Sequence, residues 1–161
     1  MKRTIFMSLL SFISFLGCSM TNQINKKEFK VIYFDKNYQE NVKINNSDSF
    51  YMLIDSLISG VDDSFKLIVT NDKIKEIKDN DSGIEIFFSN EVSFDLKIGQ
   101  TIKLKKLLIP FPNQSNGILK NSTVVLYCGK KKYFTPPYTN SKGFDLLEKM
   151  KTIIAREMNE N

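Results

Sequence analysis

From residue 29 onward the apolar positions recur in two rhythms, one of period two and one of three to four, and their order predicts the elements. FKVIYF (29–34) and NVKINN (41–46) are β-prone runs separated by the turn-rich DKNYQE, which predicts a first hairpin. Ser47 or Asp48 then caps a helix whose apolar residues Phe50, Leu53, Ile54, Leu57 and Ile58 fall three and four apart, with Gly60 as its stop. In FKLIVT, Phe65, Leu67 and Val69 alternate. A two-residue turn at Asn71-Asp72 would pair Val69 with Ile74 of KIKEIK, although Ile74 and Ile77 fit a helical turn equally well.

Asp79-Asn80-Asp81-Ser82-Gly83 reads as a hairpin turn, because these residues favour turns for local reasons. IEIFF (84–88), SFDLKI (93–98) and IKLKKLLI (102–109) follow as strands. A three-residue loop between the last two sets Ile98 opposite Ile102 and Leu96 opposite Leu104, keeping apolar on apolar. TVVLYC (123–128) and KKYFT (131–135) predict a final hairpin over Gly129, ended by Pro136-Pro137, since proline has no donor for the ladder. The stretch FDLLEKMKTIIAREM after Ser141 places Leu147, Met150, Ile154 and Met158 on one helical stripe, joined by Phe144, Leu146 and Ile153. Adjacent strands without intervening helices predict an α+β fold: a mainly antiparallel sheet, one helix after the first hairpin, and one C-terminal helix, both packed on one face.

The N-terminal segment has a different pattern. Lys2 and Arg3 form a positive head, Ile5 to Leu16 an apolar run interrupted by serines, and Gly17 a small residue at a cleavable junction. About a dozen apolar residues are too few for a span, which needs roughly 20. The tetrapeptide Phe15-Leu16-Gly17-Cys18 resembles the lipobox of bacterial prolipoproteins. That resemblance implies diacylglycerol attached through a thioether to Cys18, cleavage before it, and acylation of the new amino group. It departs from the family pattern in having Phe15 and Leu16 where leucine and a small residue are usual. Ser19, standing where an aspartate would retain such a protein in the inner membrane, implies the outer membrane, facing the periplasm or the cell surface. The domain organisation expected is a cleaved signal over 1–17, a lipidated cysteine and polar tether over 18–27, and a single domain over 28–161. A plain secretory signal cut near Ser19 and an uncleaved anchor are the alternatives.

Without the signal the chain carries 21 basic against 18 acidic residues, a net charge of about +3. That is far from the clustered excess with which proteins neutralise nucleic-acid phosphates. Histidine is absent and cysteine occurs twice, at Cys18 and Cys128. Ser-His-Asp and Cys-His catalysis and the commonest zinc ligand are thereby removed. Cys128 alternates in phase with Val124 and Leu126 and is expected in the core. Asp79, Asp81 and Glu85 fail as a calcium loop: Gly83 comes one position early, and Asn90 stands where a bidentate glutamate belongs. Asp62-Asp63 reads as a solvated connection. No cofactor or metal is called for.

The composite surface with most chemical character combines Lys130, Lys131 and Lys132 at a hairpin tip with Tyr133, Phe134 and Tyr138, and with Phe111 in the loop Pro110 to Gly117. Aromatics interleaved with lysines suit a glycan, an anionic headgroup or a protein partner. The competing structural reading has the aromatics packed half-buried while the lysines solubilise an edge. The sequence thus points to a membrane-tethered, non-enzymatic binding or scaffold domain of the bacterial envelope. An immunity or inhibitor lipoprotein facing a toxin or lytic enzyme, and a small enzyme working through carboxylates or tyrosine, are the alternatives.

Overall fold

The computed structural model describes residues 28–111 and 123–160. The signal segment, Cys18, the tether and residues 112–117 of the proline-flanked loop lie outside them.

Strand β1 (Phe29–Asp35) turns directly into β2 (Tyr38–Val42). Lys36 and Asn37 both have positive φ, 44° and 73°, which is the two-residue turn whose twist matches that of paired strands. The second strand therefore starts three residues earlier than the run NVKINN suggests. Helix α1 (Ser47–Ser59) is capped by Asn46, one residue before the expected caps, its side chain accepting from the Ser49 amide at 3.1 Å. Its buried stripe is Phe50, Ile54, Leu57 and Ile58, and Gly60 ends it as expected. A two-residue β3 (Asp63–Ser64) follows.

Residues 65–70 form no ladder, and α2 (Asn71–Asn80) replaces the hairpin expected at Asn71-Asp72. The Thr70 hydroxyl accepts from the Lys73 amide at 3.1 Å, so the polar residues that looked like a turn start a helix. The alternation upstream is real but serves packing. Leu67 and Val69 lie against a second core cluster, while the Val69 amide is satisfied by the Thr135 hydroxyl at 3.1 Å. Asp79 to Gly83 is correspondingly a helix-to-strand junction. The amides of Lys36 and Asn37 in the first turn donate to the carbonyls of Asp81 (3.2 Å) and Lys78 (3.4 Å), supplying partners at the end of α2.

The runs IEIFF and SFDLKI belong to one long strand, β4 (Ser82–Asp95), with an irregularity between Phe87 and Val92. Strand β5 (Thr101–Pro110) pairs with it in a register different from the expected one: Phe94 faces Ile102 and Val92 faces Leu104. Leu96 lies beyond the ladder with its side chain buried in the core and its amide donating to the Gln100 carbonyl at 2.7 Å, and the Lys97 amide donates to the Ser59 carbonyl at 3.0 Å. The turn thereby lengthens and is tied to the end of α1.

Strand β6 (Val124–Gly129) pairs on its far side with β7 (Tyr138–Asn140), not with KKYFT, which contributes only a bridge from Tyr133 to Gly129. The prolines precede the partner strand instead of ending it. Helix α3 (Phe144–Asn159), the last described element, buries Leu147, Met150 and Ile154.

All pairings are antiparallel, in a seven-stranded sheet of order β2-β1-β4-β5-β6-β7-β3. The α+β architecture and the positions of α1 and α3 agree with the sequence. Val31, Ile84, Ile86, Leu107, Leu126 and Cys128 point to the face covered by α1 and α3. On the other face Phe34, Leu108 and Tyr127 pack against Ile74 and Ile77 of α2, so the sheet is partly covered on both sides.

Candidate functional site

The second face holds a charged cluster. In IEIFF, Glu85 alternates away from Ile84 and Ile86 onto the face that α2 covers, and it is only 4% exposed. Lys78, on the last turn of α2, reaches its carboxylate as an ion pair, and the Tyr133 hydroxyl donates to the other oxygen. The Lys106 ammonium lies 4.1 Å from the centre of the Tyr133 ring. A buried carboxylate needs such partners, since desolvating it unpaired costs several kcal/mol.

The electrostatics follow from this packing. Burial pushes the Tyr133 hydroxyl far above its ordinary ionisation range, reinforced by the charge of Glu85 and the hydrogen bond to it, so it remains a donor. Burial pushes the Lys106 ammonium down and Lys78 adds to that, while Glu85 works in the opposite sense. Chemically the cluster is closed. Among the described residues no buried side-chain nitrogen or oxygen lacks a hydrogen-bond partner. Beside it lies a hollow of about 150 Å³, bordered by Val69, Thr70, Ile74 and Tyr133, which is small for a ligand site.

Cys128 is fully buried on the opposite face, as its phase with Val124 and Leu126 predicts, and burial pushes its thiol up to about 12. Reactive cysteines lie on the other side of their ordinary range. Among the described residues no group of three or more acidic or cysteine side chains could hold a metal ion. No described helix is long and apolar enough to cross a membrane.

The composite surface separates on folding. Lys130, Lys131 and Lys132 are exposed at the tip after β6, with Lys130 paired to Glu91 at 2.9 Å. Tyr133 turns into the Glu85 cluster on the second face, whereas Phe134 and Tyr138 pack half-buried against the first core. Phe111 lies at the far end of β5, its ring 6.3 Å from that of Tyr33 and 5.5 Å from the Lys151 ammonium. Lys106 stands beside Gly129, so five strand residues, about 17 Å, separate Phe111 from the lysine tip.

What joins the lysine tip comes instead from β4 and β5. Lys103 and Lys105 are exposed, and together with Lys130 they hold the Glu91 carboxyl below its ordinary range, the Lys130 hydrogen bond being the main cause. Sequence reading missed this grouping because it depends on strand order. It missed Glu85 for a different reason, although Phe87, an apolar residue in phase with Glu85, signals that this face is not wholly solvated.

Comparison with family models, curated proteins and solved structures finds no match for the chain. The fold and site define its class as an α+β domain with a closed buried charge cluster, and no enzyme family or fold emerges.

Proposed function

We propose that this is a lipid-anchored protein of the bacterial cell envelope, held at Cys18 in the outer membrane, whose domain binds another envelope component without catalysing a reaction. The observation that carries this reading is the sequence Phe15-Leu16-Gly17-Cys18 at the end of a charged head and a short apolar run, followed by nine polar-rich residues before the domain. Two or three acyl chains, at about 0.8 kcal/mol per buried methylene, hold a protein in a bilayer essentially permanently. The closed state of the Glu85 cluster and the inert Cys128 fit a domain that presents surfaces.

The test is metabolic labelling with a fatty acid. The wild-type chain incorporates label and fractionates with membranes, and Cys18→Ala abolishes both, because no other residue offers the acceptor sulfur. An unlabelled wild-type chain would refute the anchor. Crosslinking in intact cells followed by capture then identifies the component bound.

A further inference from the structure

The lysines of one sheet end and the point where the tether enters the domain coincide. The Glu28 carbonyl, the first described residue after the tether, accepts from the Ser89 amide at 3.0 Å. Phe29 faces Phe88, Phe87 faces Lys106, and Lys106 faces Gly129, so the start of β1 and the lysine tip lie on nearly the same row of the sheet. Three interstrand spacings separate them, about 14 Å. Around that row Lys30, Lys103, Lys105, Lys130, Lys131 and Lys132 are exposed, with Glu28, Glu91 and Asp95 the exposed acids near them. The opposite end, where the first turn meets the end of α2, carries Asp35, Asp79 and Asp81 against the exposed Lys36, while Lys78 there is paired to Glu85. The domain is thus electrically polarised along its strands.

We propose that this basic end docks on the anionic lipid surface of the membrane that carries the anchor, so that the domain stands with its lysines toward the headgroups and its Phe111 end outward. The proposal rests on Cys18 being the anchor. Covalent geometry supports it: nine tether residues, Ser19 to Lys27, span at most about 30 Å. The end of the sheet joined to the tether therefore stays within about 30 Å of the bilayer. Charge complementarity supplies the second argument, since clustered lysines beside a membrane attachment point favour acidic lipids.

The experiment uses the mature chain from residue 18 bearing Cys18→Ser, so that no acyl group contributes. It is floated with vesicles of phosphatidylglycerol and phosphatidylcholine in equal parts, and with phosphatidylcholine alone. Binding is expected only to the acidic vesicles, and it should vanish between about 0.1 M and about 1 M salt, as the screening length falls from about 10 Å to about 3 Å. Each lysine at an acidic surface strengthens partitioning about fivefold. The variant Lys105→Gln/Lys131→Gln/Lys132→Gln should therefore bind about a hundredfold more weakly. Lys75→Gln/Lys142→Gln/Lys149→Gln makes the same charge change at exposed positions elsewhere and should stay within a few-fold of the parent. Glu91→Gln removes an acid from the patch and should bind about fivefold more tightly, a gain that misfolding cannot imitate.

Equal weakening by the two lysine triples would overturn the docking surface, as would indifference to lipid charge or a Glu91→Gln variant no tighter than its parent. Soluble polyglutamate bound as tightly as the vesicles would also overturn it, in favour of an acidic protein. Fatty-acid labelling of the wild type separates the two claims. With label present and acidic preference absent, the patch alone fails; with label absent, the anchor fails.

Discussion

Tyr133 donates its hydroxyl hydrogen to the carboxylate of Glu85 across 48 residues of sequence, tying the loop after β6 to the first part of β4. Removing the donor leaves a buried carboxylate short of one partner. Tyr133→Phe is expected to cost about 1.5–3 kcal/mol, the range for a hydrogen bond to a charged group. Glu85→Ala should cost about as much or more, since it strands both Lys78 and the hydroxyl and leaves a void. Replacing the buried carboxylate with both its partners, by Lys78→Met/Glu85→Leu/Tyr133→Phe, should come closer to the wild type than the single changes imply, because no buried carboxylate is left short of partners, although the half-buried Lys106 then loses the charge of Glu85. Urea unfolding of the three variants beside the wild type decides; a loss in the triple variant as large as the sum of the two single losses would contradict this account.

Cys128 should resist alkylation in the native protein and react on unfolding. The unfolded thiol ionises near its ordinary value of 9.0, whereas the folded one keeps its proton up to about 12. Between those values the folded state binds more protons, so this contribution is complete below pH 9 and is lost as pH rises. The loss is about 1.4 kcal/mol per pH unit, ~4 kcal/mol across the window. Tyr127 and Tyr133, both pushed up chiefly by burial, act in the same direction at higher pH. Cys128→Ala should therefore flatten the alkaline fall in stability by one proton's slope without abolishing it. An unchanged slope would place the thiol in water.

Two glycines should fail for different reasons. A Cβ on Gly83 would lie 2.5 Å from the Ile109 carbonyl oxygen and 2.5 Å from Phe34 Cζ, and neither neighbour is the end of a flexible chain. Gly83→Ala is expected to cost about 1–3 kcal/mol through overpacking. Gly99 has open space around it but a φ of +77°, so Gly99→Ala should cost about 1–2 kcal/mol through the backbone alone. Asparagine, which tolerates that conformation, should restore most of the loss at 99 and none at 83. Thermal melts of the four variants test the distinction.

Thr70→Ala removes the hydroxyl that accepts from the Lys73 amide at the start of α2. About 1 kcal/mol of stability should go with it. Thr70→Asp should retain the cap, and helical hydrogen exchange over residues 71–80 should accelerate in the alanine variant only. Exchange unaffected by the alanine change would mean that packing of Ile74 and Ile77 holds the helix without its cap.

Legibility in the sequence followed the reach of each interaction. The stripe of α1 and the burial of Cys128 depend on one element's own period, and both could be read directly. Helix α2 could not, because ten residues carrying two buried isoleucines give too little periodicity to outweigh the strand-like alternation just before them. The partner of β6 was hidden by Pro136-Pro137, which interrupt local pairing although the partner strand begins at the next residue, Tyr138. The burial of Glu85 is marked locally only by Phe87 in phase with it, since what covers it is α2 and a tyrosine far along the chain. The separation of Tyr133 from Tyr138 likewise arises from the course of the chain between them, which short-range alternation does not encode.

The sheet order also governs how copies of this chain can meet. One lateral edge is β3, only two residues long, too short to template an incoming strand; the other is β2, five residues with Glu40 among them. Two molecules pairing through β2 would cover that edge in both and leave β3, too short to template a further strand, at each outer side.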